Sequence, residues 1–365
     1  MPHYDPEGTT TKEWDIGTEG SPRRATIRDV AAHAGVSRSA VSKVFNAKGG
    51  ISPATEARIR ESARALNWAP SASAAALASD STRTVGLVIR RGPDLLFADP
   101  HFALLIGGVE EILVPAGYGL QLHLIGEDRE LERGLYTRLA TQRRVDGVLL
   151  TESELGDPRH ALLDELGLPS VMLGWPDPEE EQRWNVVSAH PSEHRTAYHE
   201  AARHLTDLGH RRVAYVSGPE RLVHTGYRRR EFERELTRNG AELVTRVHLD
   251  FSVEQVVEAC LSMVDGPRPP TAFAFANDSM ALAAIGALSA RGIRVPQDIS
   301  IIGHDNLPTG QWSHPGLTTI AQDLRGMARQ AAILLLRQLG DTSLGDEPMS
   351  PPRLVIRGTT GPASS

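Results

Sequence analysis

The chain has 365 residues, a net charge of −7 and 40% hydrophobic residues, enough for two or three domains with sizeable cores. A single cysteine, Cys260, excludes an internal disulfide framework and a multi-cysteine zinc or iron–sulfur site. No apolar stretch reaches 18 residues, and the first 20 are acidic and polar, so neither a membrane span nor a signal peptide is expected, and the expected location is the cytoplasm.

Charge is divided unevenly along the chain. Residues 1–21 hold one Lys against five acidic residues and read as a disordered acidic tail with no assigned role. Residues 22–80 hold nine Lys and Arg against four acidic residues, a net of +5, while the remainder carries −8. A small basic module ahead of a large acidic body suits a DNA-binding head on a sensing or enzymatic core.

Three helices are predicted in the basic module. Thr26, answered by Asp29, caps the first, with Ile27, Val30 and Ala31 at helical spacing. Ala34-Gly35-Val36 ends it. Ser37 opens the second, whose apolar stripe is Ala40, Val41, Val44 and Phe45 and whose polar face is Arg38, Ser39, Ser42 and Lys43. Ser52-Pro53 opens the third, with Ile59, Ala63 and Leu66 inward and Trp68 just beyond.

Helix, glycine turn and short helix with a polar outer face is the helix-turn-helix pattern. In that geometry the first turn of the second helix meets base edges. Arg38 would make paired bonds to a guanine, Ser39 a single bond, and Lys43 would reach a base or a phosphate. Ser37, with the free amides of its helix start, and Lys48 in the following loop suit phosphates; Thr26 and Asn46 at their helix ends join them. The competing reading is a plain helical subdomain with solvated cations.

The alanine-rich run 71–80 reads as a linker, or as a helix that forms only when something holds it. On such a helix Leu77 would wedge between base steps in the minor groove.

From Arg83 onward strands and helices alternate. Strands are predicted at 84–89, 119–124, 145–150 and 169–173, with helices at 102–114, 131–143 and 160–166 between them. The pattern restarts with helices at 195–209, 226–239, 252–264 and 278–291, alternating with strands at 212–217, 241–249, 271–276 and 299–303. A last helix at 321–339 and a strand at 353–356 follow. The alternation implies parallel sheets covered by helices, in two lobes with a ligand cleft between them.

Ligand contacts are expected in loops after the strands' carboxyl ends. These hold Phe102, Trp175, His224, Asp278 and Asp305. Asp278 either accepts hydrogen bonds from a ligand or caps its own helix. Trp175 and Phe102 stack on a ring or pack the hinge. No phosphate loop, nucleophile elbow or His-Glu-x-x-His arrangement occurs, so no catalytic residue, metal site or cofactor is assigned. An enzyme of sugar or phosphoryl metabolism, or a binding module without DNA function, are the alternatives; the first leaves 22–80 unexplained.

The stretch from Thr26 to Ser37, with Val41 to Asn46 and Ile51 to Thr55, resembles the head of the LacI/GalR family of bacterial transcriptional regulators. Val145-Asp-Gly147, Leu208-Gly-His-Arg211, Phe275-Ala-Asn-Asp278, Val295 to Ser300, Pro315 to Ile320 and Leu354 to Arg357 extend the resemblance from about 26 to 358.

The resemblance implies a helix-turn-helix head at 22–70, a hinge helix at 71–80 and a body at 81–358 similar to periplasmic sugar-binding proteins. Three crossings would divide the body into one lobe of about 84–185 and 316–346 and another of about 186–315 and 349–358. It further implies a repressor that binds a near-palindromic double-stranded operator as a homodimer and responds to a small effector. It puts Arg38 and Ser39 at base-reading positions, Lys43 where Arg is usual, Leu77 at the minor-groove leucine and Asp278 at the effector-contacting aspartate. Ser71 and Ala75 depart from the common Asn and Arg. Val223 stands where an effector-clamping Arg is usual, with His224 beside it, so the expected effector is a less polar ligand, a non-standard glycoside, or none.

Overall fold

The computed structural model describes residues 25–46, 49–70, 81–92, 99–175, 186–187, 191–249 and 251–364. They form two compact units, divided between Ser81 and Thr82. The expected tail at 1–21, Lys48, and the expected hinge at 71–80 with Leu77 lie outside the described residues.

The first unit contains α1 (Ile27–Ala34), α2 (Arg38–Phe45) and α3 (Pro53–Ala65). Each start is capped from the sequence. The Asp29 carboxylate accepts from the Thr26 amide at 2.8 Å and its hydroxyl at 2.7 Å. Ser37 Oγ accepts from the Ala40 amide at 3.2 Å, and Ser52 Oγ from the Thr55 amide at 3.3 Å. Gly35 ends α1 at φ 63°, a left-handed position that glycine takes without strain and that turns the chain into α2. Val30, Ala34, Val41, Val44, Ile59 and Ala63 form the core, and Phe45 closes it edge-to-face on Trp68 at 5.2 Å.

The second unit is a pair of α/β lobes. In the first, β1 (Thr84–Ile89), β2 (Gly119–Leu124), β3 (Gly147–Leu150), β4 (Ser170–Leu173) and β5 (Val186–Val187) make an all-parallel sheet in the order β2-β1-β3-β4-β5. Helices α4 (Pro100–Leu113), α5 (Arg129–Thr141) and α6 (Pro158–Glu165) connect the strands. Helices cover both faces, so the inner strands are continuous apolar runs such as Val85 to Ile89.

The second lobe begins with α7 (Pro191–Asp207). It continues through β6 (Arg212–Ser217), α8 (Val223–Arg238), β7 (Glu242–His248), α9 (Val253–Val264), β8 (Ala272–Phe275), α10 (Asp278–Ala290), β9 (Ser300–Asp305), α11 (Pro308–Trp312) and β10 (Thr318–Ala321). Its sheet runs β11-β10-β9-β8-β6-β7, with β11 (Arg353–Val355) antiparallel to β10.

Helix α12 (Leu324–Gln338) returns to the first lobe and buries Leu324, Ala328, Ala331 and Leu335 in its core. Gly108 permits this approach: a Cβ there would meet the Arg325 carbonyl at 2.6 Å and the Ala328 methyl at 2.8 Å.

Two sequence expectations are corrected. The first lobe does not resume at 316. Thr318–Ala321 is a strand paired in parallel with β9, so this return to the first lobe comes later, at Gln322-Asp323, where Asp323 caps α12. The last helix therefore starts at Leu324 and not at Ala321. Thr318 and Thr319 are fully buried through pairing with neighbouring strands and loops.

Candidate functional site

In the first unit, α2 separates its faces cleanly. Val41 and Val44 are buried, while Arg38, Ser39 and Lys43 are exposed. Ser37 and Thr26 are exposed at their helix starts, with Ser37 Oγ also bonded to Ser39 Oγ at 2.9 Å. Asn46 ends α2, half-buried, and donates through Nδ2 to Ser42 Oγ at 3.0 Å. The three base-reading candidates thus share one solvent-facing side of a short helix.

In the second unit, the lobes meet at a cavity of about 290 Å³. The first lobe contributes Phe102, Trp175, Arg91 and Glu152, the second His224, Arg228, Asn277 and Asp305, and the crossing segment Gln322. Two loops hold the lobes together beside it. The Val223 amide donates to the Ser153 carbonyl at 3.1 Å, and Arg221 Nε donates to Glu154 at 2.9 Å.

Four of the five sequence candidates line this cavity: Phe102, Trp175, His224 and Asp305. Trp175 does more than face it. Its ring lies 4.3 Å from both Tyr227 and His194, and Ser153 Oγ donates to its carbonyl. Asp305 accepts from Gln322 at 2.5 Å and lies 3.6 Å from His101 Nδ1.

Asp278 stands apart, and the reading of it as the cap of its own helix is corrected. It is 0% exposed and is not among the cavity-lining residues. One oxygen accepts from the Leu307 amide at 2.7 Å and the other from Thr319 Oγ1 at 2.6 Å. The helix cap is Asn277, whose Oδ1 accepts from the Met280 amide at 2.8 Å. Asp278 therefore ties the loop after β9 to β10. A side chain at Gly303 would collide with its carboxylate. Burial, reinforced by Asp305, pushes its pKa up to about 8.

The electrostatics of the cavity turn on Arg228. Burial lowers the pKa of His224 and His304 well below the usual imidazole range and brings His194 to about 3, and Arg228 is the next cause in each case. For His101, burial is outweighed by the carboxylates of Asp305 and Asp99, so its pKa is raised. Burial raises that of Asp99.

Sequence reading missed Glu152, Arg228 and Gln322. Arg228 sits in an Arg-Arg-Arg run that reads as a solvated face. The available signal was its spacing of four from His224, which puts both on one side of α8.

Two parallel-stranded lobes around one cavity, on the same chain as a helix-turn-helix unit, define a ligand-responsive DNA-binding protein. Residues 26–71 match the bacterial regulatory proteins of the lacI family, and residues 202–360 match the periplasmic binding protein-like domain. The HTH-type transcriptional repressor PurR of Vibrio atlanticus (strain LGP32) is 32% identical over 325 residues, 87% of this chain and 92% of that protein. PurR of Aliivibrio fischeri (strain ATCC 700601 / ES114) is 34% identical over 323 residues, with the same coverage.

Among solved structures, the complex of the transcriptional regulator CelR with cellobiose is 31% identical, with a TM-score of 0.66, over 92% of this chain and 100% of that one. The lac repressor dimer bound to operator and the anti-inducer ONPF is 25% identical, with a TM-score of 0.77, over 93% and 100%. The chain belongs to the lacI family of bacterial regulatory proteins. It is a DNA-binding transcriptional repressor modulated by a small molecule.

Proposed function

We propose that this repressor reads a near-palindromic operator as a cytoplasmic homodimer, one helix-turn-helix per half-site, and that occupation of the interlobe cavity changes its operator affinity. Arg38 and Ser39 read base edges, with Lys43 one turn further on. Thr26, Ser37, Asn46 and Lys48 hold phosphates, and Leu77 wedges into the minor groove. The observation that carries this reading is the face of α2, where Arg38, Ser39 and Lys43 are exposed opposite the buried Val41 and Val44. The relatives' names, transcriptional repressor and operator-bound lac repressor, support the same assignment.

In the body, Phe102, Trp175, His224 and Asp305 contact the effector, and Asp278 acts as a positioning residue for the loop that carries Asp305. The cavity binds and releases its ligand without converting it. For the ligand to regulate, its affinity must differ between the operator-bound and free states, since equal binding shifts nothing.

Selection of random duplexes by the purified protein, followed by footprinting, tests the reading. A symmetric, salt-sensitive motif is expected, weakened by Arg38→Ala and Leu77→Ala. A dimer that selects no preferred duplex at low salt refutes it.

A further inference from the structure

We propose that the first lobe holds a second binding site, for a neutral polyhydroxylated compound such as a sugar or polyol, in a cavity between the starts of α5 and α6. Among the described residues this cavity has a volume of about 360 Å³, within the usual range for small-molecule sites, and it shares no lining residue with the interlobe cavity. Neither the DNA-reading face nor the interlobe cavity draws on it.

Its wall alternates fixed charges. Arg90, Arg129 and Arg159 line it, and so do Glu132, Glu154 and Asp157. Arg90 and Arg129 both donate to Glu154, the second at 2.5 Å, and Arg159 donates to Asp157 at 2.6 Å. The spacing of three and four along α5 sets Arg129, Glu132 and Tyr136 on one side of the helix. Asp157 comes to the wall as the cap of α6, where it accepts from the Arg159 amide at 3.0 Å.

One group in this wall is incompletely served. Glu132 is 5% exposed, and Arg90 Nε lies 3.2 Å from its Oε2. Its Oε1 is buried with no hydrogen-bond donor among the described residues, and Arg159 Nη1 stands 3.7 Å away, beyond hydrogen-bond reach. Burial accordingly raises the pKa of Glu132 against the pull of Arg159 and Arg90. A buried carboxylate oxygen without a donor is costly, and a ligand hydroxyl in the cavity would supply one.

The same wall sets the charge of the ligand. Its three guanidiniums face three carboxylates, so an added anion or cation finds no free counter-charge inside. The other charged lining residues, Glu130, Arg133 and Glu165, are exposed at the rim, where water and salt screen them. A hydroxyl donates and accepts at once, so a run of hydroxyls bridges guanidinium donors and carboxylate acceptors. Tyr136, Pro158 and Leu162 supply carbon surface for the C–H face of a ring.

The test is calorimetric titration of the full-length protein with glucose, myo-inositol and cellobiose, and with the charged compounds gluconate and glucosamine. At least one neutral compound is expected to bind with a Kd of about 1 mM or lower, and both charged compounds about tenfold more weakly or worse. Hydrogen exchange locates the binding: slowing is expected at 129–136 and 157–162. Ala161 is exposed on α6 at the cavity, so Ala161→Trp places an indole in it and should remove that slowing.

The proposal is overturned if none of the neutral compounds binds, if gluconate or glucosamine binds as tightly as the best of them, if the slowing is confined to the segments around the interlobe cavity, or if Ala161→Trp keeps it at 129–136 and 157–162. Should Ala161→Trp fail to fold, exchange on the unaltered protein decides alone.

Discussion

Two buried arginines in the body sit in opposite surroundings. Arg159 donates to Asp157 and to the carbonyls of Thr151 at 3.0 Å and Glu152 at 3.1 Å. Around it, Glu154 is reached by Arg90, Arg129 and Arg221, and Glu132 by Arg90 at 3.2 Å. Arg228 is buried to a similar degree, yet among the described residues it pairs with no carboxylate and lies near His194, His224 and His304, whose pKa values are lowered by burial and then by its charge. The first cluster pairs each arginine with a carboxylate and lines a cavity of its own, of about 360 Å³. The second lines the interlobe cavity. Burial of a cation therefore says little about its role until its partners are counted.

The largest test of this contrast is Arg159→Ala. It strips Asp157 of its counter-ion in a buried site, and a loss of about 3–5 kcal/mol in denaturant unfolding is expected. A loss below about 1 kcal/mol would mean that water from the adjoining cavity replaces the guanidinium.

A third kind of cation is found in the head, where Arg38 is unpaired among the described residues and exposed, so water solvates it. Arg38→Ala should leave stability within about 0.5 kcal/mol but weaken binding to a selected duplex by about 1–3 kcal/mol, with relaxed preference at one base pair. Equal weakening on every sequence would reassign Arg38 to a phosphate.

The cluster around Arg228 also predicts a pH dependence. A histidine whose folded pKa is depressed takes up its proton more readily when unfolded. Its stabilising contribution is present above about 6.5 and is lost as pH falls toward the folded value, about 3 for His194. One such group costs about 1.4 kcal/mol per pH unit in that window. Asp278 works the other way: with its folded pKa raised to about 8, its contribution is present at acid pH and is lost as pH rises from about 4 to 8. Urea midpoints from pH 7 to 5 should fall less in His194→Phe than in the parent. Parallel profiles would remove His194 from the account.

The smallest effect is expected at Arg60, which pairs with Glu56 on the exposed face of α3 at 2.7 Å. Arg60→Ala should cost only about 0.3–0.5 kcal/mol, partly through lost stacking on Phe45. A larger loss would show that the small head core depends on its rim.

The elements of the head were legible because each start carries its own signal in Thr26, Ser37, Ser52-Pro53 and Gly35. The alternation of strands and helices in the body was equally legible, since buried parallel strands must be apolar throughout. Beyond these local signals, single positions misled. Thr318-Thr319 was expected in the first lobe and lies in a strand of the second, where its hydroxyls find partners in Asp278 and in residues near the C-terminus. Val223 marked the absence of a clamp at one position, and the spacing of Arg228 from His224 was the one local sign that it would face the same cavity.

By itself, then, the sequence determined which segments fold and which face of α2 stays wet, since capping, glycine turns and apolar spacing act over a few residues. Only the tertiary structure decided that Asp278 braces a loop and that Phe102 and Trp175 share a cavity with Arg228. Those facts depend on groups far apart in the chain, and a side chain's long-range partners are not encoded in its immediate neighbours.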